Sequence, residues 1–135
     1  TFVKGEAPER VEGMFKAVRA AQKAALAAVR PGRLCAAVHA AAVSELERRG
    51  YVTRREKGKI PEGFIHSTGH GVGLDIHEGP SLSAGSKARL REGQVVTVEP
   101  GLYYRDVGGV RIEDTVVVTR SGCRILGACA YRYRV

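Results

Sequence analysis

The chain has no tryptophan, one methionine and an aromatic fraction of only 6%. A stacking platform for single-stranded nucleic acid needs rings interleaved with basic residues. None accompany the basic run Arg54-Arg55-Glu56-Lys57-Gly58-Lys59, which reads instead as a solvated loop. Nucleic acid is therefore not an expected partner, although the net charge of +8 favours anions at the surface in general. No apolar run approaches the roughly 20 residues of a membrane span, and residues 1–30 are charged and helical in pattern, unlike a secretory leader. The three cysteines, Cys35, Cys123 and Cys129, cannot all pair and form no CxxC. They read as reduced thiols in a cytoplasmic protein, and none has a histidine beside it to serve a nucleophile. There is no HExxH zinc helix, because serine follows His66. Gly69-His70-Gly71-Val72-Gly73 fails as a dinucleotide fingerprint, since the final glycine comes too early and no helix follows.

At 135 residues the chain reads as one domain, 1–135, able to bury a single core. Val11, Met14, Phe15, Val18, Ala25, Leu26 and Val29 follow a three-four spacing, the apolar stripe of a helix of about six turns. Pro8 suits its first turn, Glu6, Glu9 and Glu12 lie at the positive end of its dipole, Arg30 lies at the other, and Pro31-Gly32 stops it. A second helix is predicted from about Leu34 to Arg49, with Leu34, Ala37, Val38, Ala41, Ala42 and Leu46 facing inward and Gly50 as a left-handed cap. His39 lies at the edge of that stripe as a packing or surface histidine. From Gly69 the period becomes two, which would put His70, Val72 and Leu74 on one face of a strand. Residues 79–93, rich in glycine, proline and serine, read as a long loop. Strands follow at Gln94 to Val98, Val110 to Thr119 and about Arg124 to Leu126. Two helices followed by an antiparallel sheet make an α+β layout.

Three of the four histidines, His66, His70 and His77, fall in one short stretch, and two glutamates, Glu99 and Glu113, lie in strand-like sequence downstream. A buried carboxylate is costly unless paired or metal-bound. Arg111 would share a face with Glu113 and is positioned to pair with it, whereas Glu99, followed at once by Pro100-Gly101, has no evident partner. Two carboxylates brought together raise one another's pKa unless a cation intervenes. An oxygen-rich set with one imidazole favours manganese, iron, cobalt or zinc over copper. His70, Glu99 and Glu113 are too few for two metals. The only aspartates are Asp75, opposite His70 in the strand alternation, Asp114, opposite Glu113, and Asp106 in a turn. The glycines around His70 would let the backbone approach a ligand or a neighbouring strand.

In Ile65 to Glu78, Gly93 to Tyr103 and Gly109 to Thr119 the chain resembles the pita-bread metallopeptidases, and Gly109-Val110-Arg111-Ile112-Glu113-Asp114 resembles their proline-specific branch, aminopeptidase P and prolidase. The resemblance implies a pita-bread α+β fold and hydrolysis of the bond between an N-terminal residue and proline. It implies two divalent ions, manganese first, with cobalt, zinc or iron as alternatives. His70 and Glu99 would each ligate metal, Glu113 would bridge, and Arg111 would orient Glu113. His66 and His77 would line the substrate pocket, with His77 bonding the substrate amide, Tyr103 would support the pocket, and Glu99 would also act as base. The family's first two metal ligands are aspartates on earlier strands, and a further histidine also precedes them. The chain accordingly resembles the C-terminal part of a catalytic domain, an incomplete catalyst alone, with a homodimer or the missing N-terminal half as partner. Two other uses of the fold differ from this: a non-catalytic module binding peptide or nucleic acid, and a metal-free amidinohydrolase of creatinase type, which lacks the two glutamates.

Overall fold

The computed structural model describes residues 1–53, 61–127, 131 and 133. The basic run 54–59 and Cys129 lie outside the described residues. Two helices, α1 (Glu9–Ala28) and α2 (Cys35–Arg48), precede seven strands: β1 (Gly69–Gly71), β2 (Glu78–Leu82), β3 (Val95–Val98), β4 (Gly101–Tyr104), β5 (Gly108–Arg111), β6 (Asp114–Thr119) and β7 (Gly122–Ile125). The large sheet runs β2-β1-β3-β6-β7, all its pairs antiparallel, and β4-β5 form a separate two-stranded ribbon. This is the expected α+β architecture. No helix among the described residues is long and apolar enough to cross a membrane.

The helices form because their apolar residues recur on one side. On α1, Met14, Val18 and Ala25 are buried as the spacing predicts, and Ala17, Ala21 and Gln22 join them. Val11, Phe15 and Leu26 pack on the margin. The stripe of α2 is rotated slightly from its expected centre: Cys35, Val38, Ala42 and Leu46 are buried, while Leu34 is exposed. Gly50 takes the left-handed φ of 81° that a helix end favours. Each fully buried Leu, Val or Met contributes about 1.5–3 kcal/mol of transfer free energy. The core joins both helices to the sheet through Leu82, Val96, Val98, Val116 and Val118. Gln22, fully buried, donates to Asp114 at 2.8 Å and accepts from Arg19 at 3.1 Å, so α1 is also tied to β6 through polar atoms. Cys35 is buried, Cys123 half-buried, and both are free thiols.

Three expectations about the strands are corrected. The strand expected through Leu74 stops at Gly71; Asp75 donates its N–H to the Glu78 carboxylate at 2.8 Å, closing a turn, and Leu74 stands fully exposed. The loop expected over 79–93 begins with β2, whose Leu82 enters the core despite the Gly79-Pro80 pair. The single strand expected over Val110 to Thr119 is two strands in different sheets, and Gly101–Tyr104 is the ribbon partner of the first. The burial alternation of Val110, Ile112, Val116 and Val118 persists through that break, so the pattern alone does not reveal it.

Candidate metal centre

The break in the long strand is what assembles the site. In the large sheet Val98 faces Asp114, and in the ribbon Gly101 faces Arg111. Each chain crosses from sheet to ribbon in two residues, Glu99-Pro100 on one side and Ile112-Glu113 on the other. The register therefore carries through and sets Glu99 opposite Glu113 and Pro100 opposite Ile112. The Ile112 N–H reaches the Pro100 carbonyl at 3.4 Å, as that register requires.

Close approach of backbones brings His70 to this seam. A Cβ on Gly69 would sit 1.9 Å from the Thr97 carbonyl oxygen, and one on Gly71 would sit 2.1 Å from that of Gly79. Only hydrogen fits at these positions, so the glycines flanking His70 serve strand contact, as expected. Thr97 then links the two strands through its side chain. Its Oγ1 accepts the His70 N–H at 3.0 Å and donates to Glu99 Oε1 at 3.0 Å. The Glu99 N–H donates to the Thr68 carbonyl at 2.7 Å. Thr97 is 3% exposed, so both of its bonds are shielded from water.

The geometry at His70 can accommodate a cation. Its Nδ1 lies 2.9 Å from the Gly71 carbonyl oxygen. A carbonyl only accepts, so Nδ1 carries a proton. Nε2 faces Glu99 Oε1 at 3.2 Å, a spacing that suits either a proton on Nε2 or a metal ion held between the two. Donors about 2.1 Å from one ion at a right angle lie about 3.0 Å apart, so the pair fits one edge of a coordination sphere. Among the described residues no cluster of three or more His, Cys, Asp or Glu completes that sphere. Glu113 is exposed on the wall of a neighbouring cavity of about 510 Å³, shared with Tyr103, Gly109 and Arg111. The aspartates are engaged elsewhere or exposed: Asp106 pairs with Arg10, Asp114 accepts from Gln22, and Asp75 lies in the exposed turn.

Arg111 differs from expectation. Its Nε lies 3.8 Å from Glu99 Oε2 and its Nη1 3.4 Å from the Tyr103 hydroxyl, so its contacts run to Glu99 rather than to Glu113. Glu99, expected to lack a partner, has His70, Thr97 and Arg111 around it. Tyr103 lies over a floor of two glycines, since a Cβ on Gly101 or Gly109 would fall 2.8 or 2.6 Å from its ring or hydroxyl atoms.

The histidines divide by environment. His66 is half-buried, edge-on to Phe64 at 5.2 Å and to Tyr103 at 5.4 Å between ring centroids. Its Nδ1 is tied to the Ser67 carbonyl at 2.7 Å, and its Nε2 is buried with no hydrogen-bond partner. Burial lowers its pKa, against the weaker opposing effects of the Ser67 bond and the Glu99 charge. An uncharged ring with an unsatisfied, buried acceptor is open to a donor from a ligand. His77 is exposed and sits against the His70 ring at 4.5 Å. His39 packs inside the fold: its Nδ1 bonds Thr68 Oγ1 at 2.8 Å, its ring meets Phe64 at 5.3 Å, and burial lowers its pKa. Sequence reasoning assigned no role to Thr97 or to the His39–Thr68 contact. Period two already put Thr97 on the face of Glu99, which is the signal that would have found it.

Residues 1–120 match the profile of Metallopeptidase family M24. The chain belongs to that family. It is 40% identical over 126 residues to the Xaa-Pro dipeptidase of Pyrococcus furiosus, covering 93% of this chain and 34% of that protein. It is also 40% identical over 119 residues to the agropine synthesis cyclase of Rhizobium rhizogenes, covering 88% of this chain and 28% of that protein. A crystal structure of a dipeptidase from Pyrococcus horikoshii OT3 superposes with a TM-score of 0.89 at 35% identity, over 98% of this chain and 35% of that one. The chain thus spans about a third of the length of these relatives.

Proposed function

We propose that the protein is a metal-dependent peptidase that cleaves the bond between an N-terminal residue and proline, as an Xaa-Pro dipeptidase or aminopeptidase. The observation that carries this reading is His70 Nε2 facing the Glu99 carboxylate at 3.2 Å, with Glu113 opposite Glu99 in register. His70 and Glu99 would hold one divalent ion, and Glu113 would bridge to a second. Manganese suits this oxygen-rich set. No third donor among the described residues joins His70 and Glu99 in one cluster, so the remaining oxygen donors would come from a second copy of the chain or from a further segment of the protein. Such ions, when bound, lower the pKa of water and polarise a carbonyl.

The chain's own groups do the rest. Glu99 takes the proton from the attacking water. Thr97 and Arg111 fix the Glu99 carboxylate through one oxygen each, at 3.0 Å and 3.8 Å. His77, exposed beside His70, bonds the substrate amide as charge develops on it. His66 Nε2 accepts an N–H from the substrate, relieving its unsatisfied burial. The nitrogen of an Xaa-Pro bond carries no hydrogen, so that N–H belongs to the substrate's amino terminus rather than to the scissile bond. Tyr103, held on Gly101 and Gly109, shapes the wall.

The test is a manganese titration with an Xaa-Pro dipeptide, with and without the remainder of the protein. Metal-dependent hydrolysis is expected only when the remainder is present, and Glu99→Gln and Glu113→Gln each abolish it with the circular dichroism spectrum unchanged. Full hydrolysis by the 135 residues alone would show the ligand set complete without outside donors. No hydrolysis in any combination would refute the peptidase reading. The relative called agropine synthesis cyclase favours, as a second reading, a different reaction on the same fold. In that case metal would bind and the Xaa-Pro dipeptide would survive.

A further inference from the structure

Away from the metal centre, at the turn between α1 and α2, a cavity of about 360 Å³ is lined by Arg30, Arg33 and Arg89 together with Pro31, Leu34 and Ala37. No carboxylate lines it, and none of the three arginines has an ion pair among the described residues. Arg33 Nε is buried and has no hydrogen-bond partner. A desolvated N–H on a cation is among the more costly groups to leave unmatched. Arg89 is anchored, donating through Nη1 to the Gly32 carbonyl at 2.8 Å. The wall itself is firm. Gly32 donates to the Leu90 carbonyl at 2.8 Å, Leu90 to that of Arg33 at 2.9 Å, and Cys35 to that of Ala88 at 2.9 Å. Beside it α2 begins with no side-chain cap and no acidic residue in its first turn, which adds partial positive charge.

We infer that this cavity is a binding site for a small phosphate-bearing anion, either inorganic phosphate or a phosphomonoester. The chemistry is that of the guanidinium fork: Arg30, Arg33 and Arg89 all line the cavity, and their N–H groups would meet oxygens of one tetrahedral anion. The volume lies at the lower end of the range for ligand pockets, so it admits a short organic group attached to the phosphate. The apolar Pro31, Leu34 and Ala37 would receive that group. An occupant braces the helical layer against the segment that leads into β3, the strand before Glu99. This site is independent of the peptidase reading and stands or falls separately.

The test follows the arginine Nε–H signals of the 15N-labelled full chain during titration with inorganic phosphate, glycerol 3-phosphate and, at matched ionic strength, chloride. A saturating shift of the Arg33 signal with either phosphate compound but not with chloride supports the site. A stronger response to glycerol 3-phosphate identifies the phosphomonoester as the occupant, and equal responses identify the phosphate group alone. By calorimetry Arg33→Ala and Arg89→Ala each weaken phosphate binding about tenfold or more, as loss of a charged hydrogen bond requires. Arg120→Ala, which removes an exposed partner of Glu92, leaves it unchanged. Unsaturable drift, the same for chloride and phosphate, would overturn the inference. That readout uses the unmutated chain, so a variant that fails to fold does not blunt it.

Discussion

Replacing Thr97 by valine isolates the link between the two ligand-bearing strands. Valine keeps the shape and branching of threonine and removes only the hydroxyl. Two bonds vanish: one donated to the Glu99 carboxylate at 3.0 Å and one accepted from the His70 N–H at 3.0 Å. A hydrogen bond to a charged group contributes about 1.5–3 kcal/mol, and a buried N–H left unmatched costs about 1–3 kcal/mol. The two losses share one hydroxyl and one strand pair, so they overlap, and a net destabilisation of about 3 kcal/mol is expected. Urea denaturation followed by circular dichroism, in metal-free buffer, measures it. Thr97→Ser keeps the hydroxyl and should lose no more than about 1 kcal/mol, for the deleted methyl. In the metal-supplemented whole protein, Thr97→Val should weaken manganese binding about 10–100-fold, the usual effect of removing a group that orients a ligand. A valine variant within about 0.5 kcal/mol of the parent, binding manganese as tightly, would show that Thr97 orients nothing.

Gly69→Ala places a Cβ 1.9 Å from a backbone oxygen that cannot rotate away, so it should cost about 3 kcal/mol or more in the same assay. Gly85→Ala, whose Cβ meets nothing within 4 Å, should be near neutral, and equal effects would refute the close-approach account. His39 and His66 both have pKa values lowered by burial, so the unfolded chain binds protons that the folded chain refuses. Their contribution is fully present above the ordinary histidine value of about 6.5 and is lost as the pH falls below it toward the lowered values. The urea midpoint should therefore drop between pH 7.5 and 5.5, less steeply in His66→Gln, and a midpoint that rises on acidification contradicts this.

The helices were legible because a period of 3.6 leaves its mark on every turn, and Pro31-Gly32 and Gly50 mark their ends. The strand break at Ile112-Glu113 was not, because burial alternates without interruption on both sides of it. β2 was hidden behind Gly79-Pro80, a pair that ordinarily marks a loop but here lies within an edge strand, where proline is tolerated. At the site, His70, Glu99 and Glu113 stood out as polar groups in strand-like sequence. The Arg111 contact with Glu99 did not, since it depends on ribbon register, which no stretch of either strand encodes alone. The resemblance to the proline-specific branch agrees with the family to which residues 1–120 belong.

Both glutamates ride on the only two covalent links between the large sheet and the ribbon. Pro100 offers no N–H, and the one backbone bond across the links, from Ile112, is long at 3.4 Å. The ribbon is nevertheless held elsewhere: Gly63 and Tyr103 exchange backbone bonds at 2.8 and 3.0 Å, and Leu102 and Val110 are buried in the core. The placement of Arg111 3.8 Å from Glu99 is therefore fixed by the interior of the molecule as well as by the two links, so damage to the core beneath the ribbon reaches the carboxylate without touching any residue at the site.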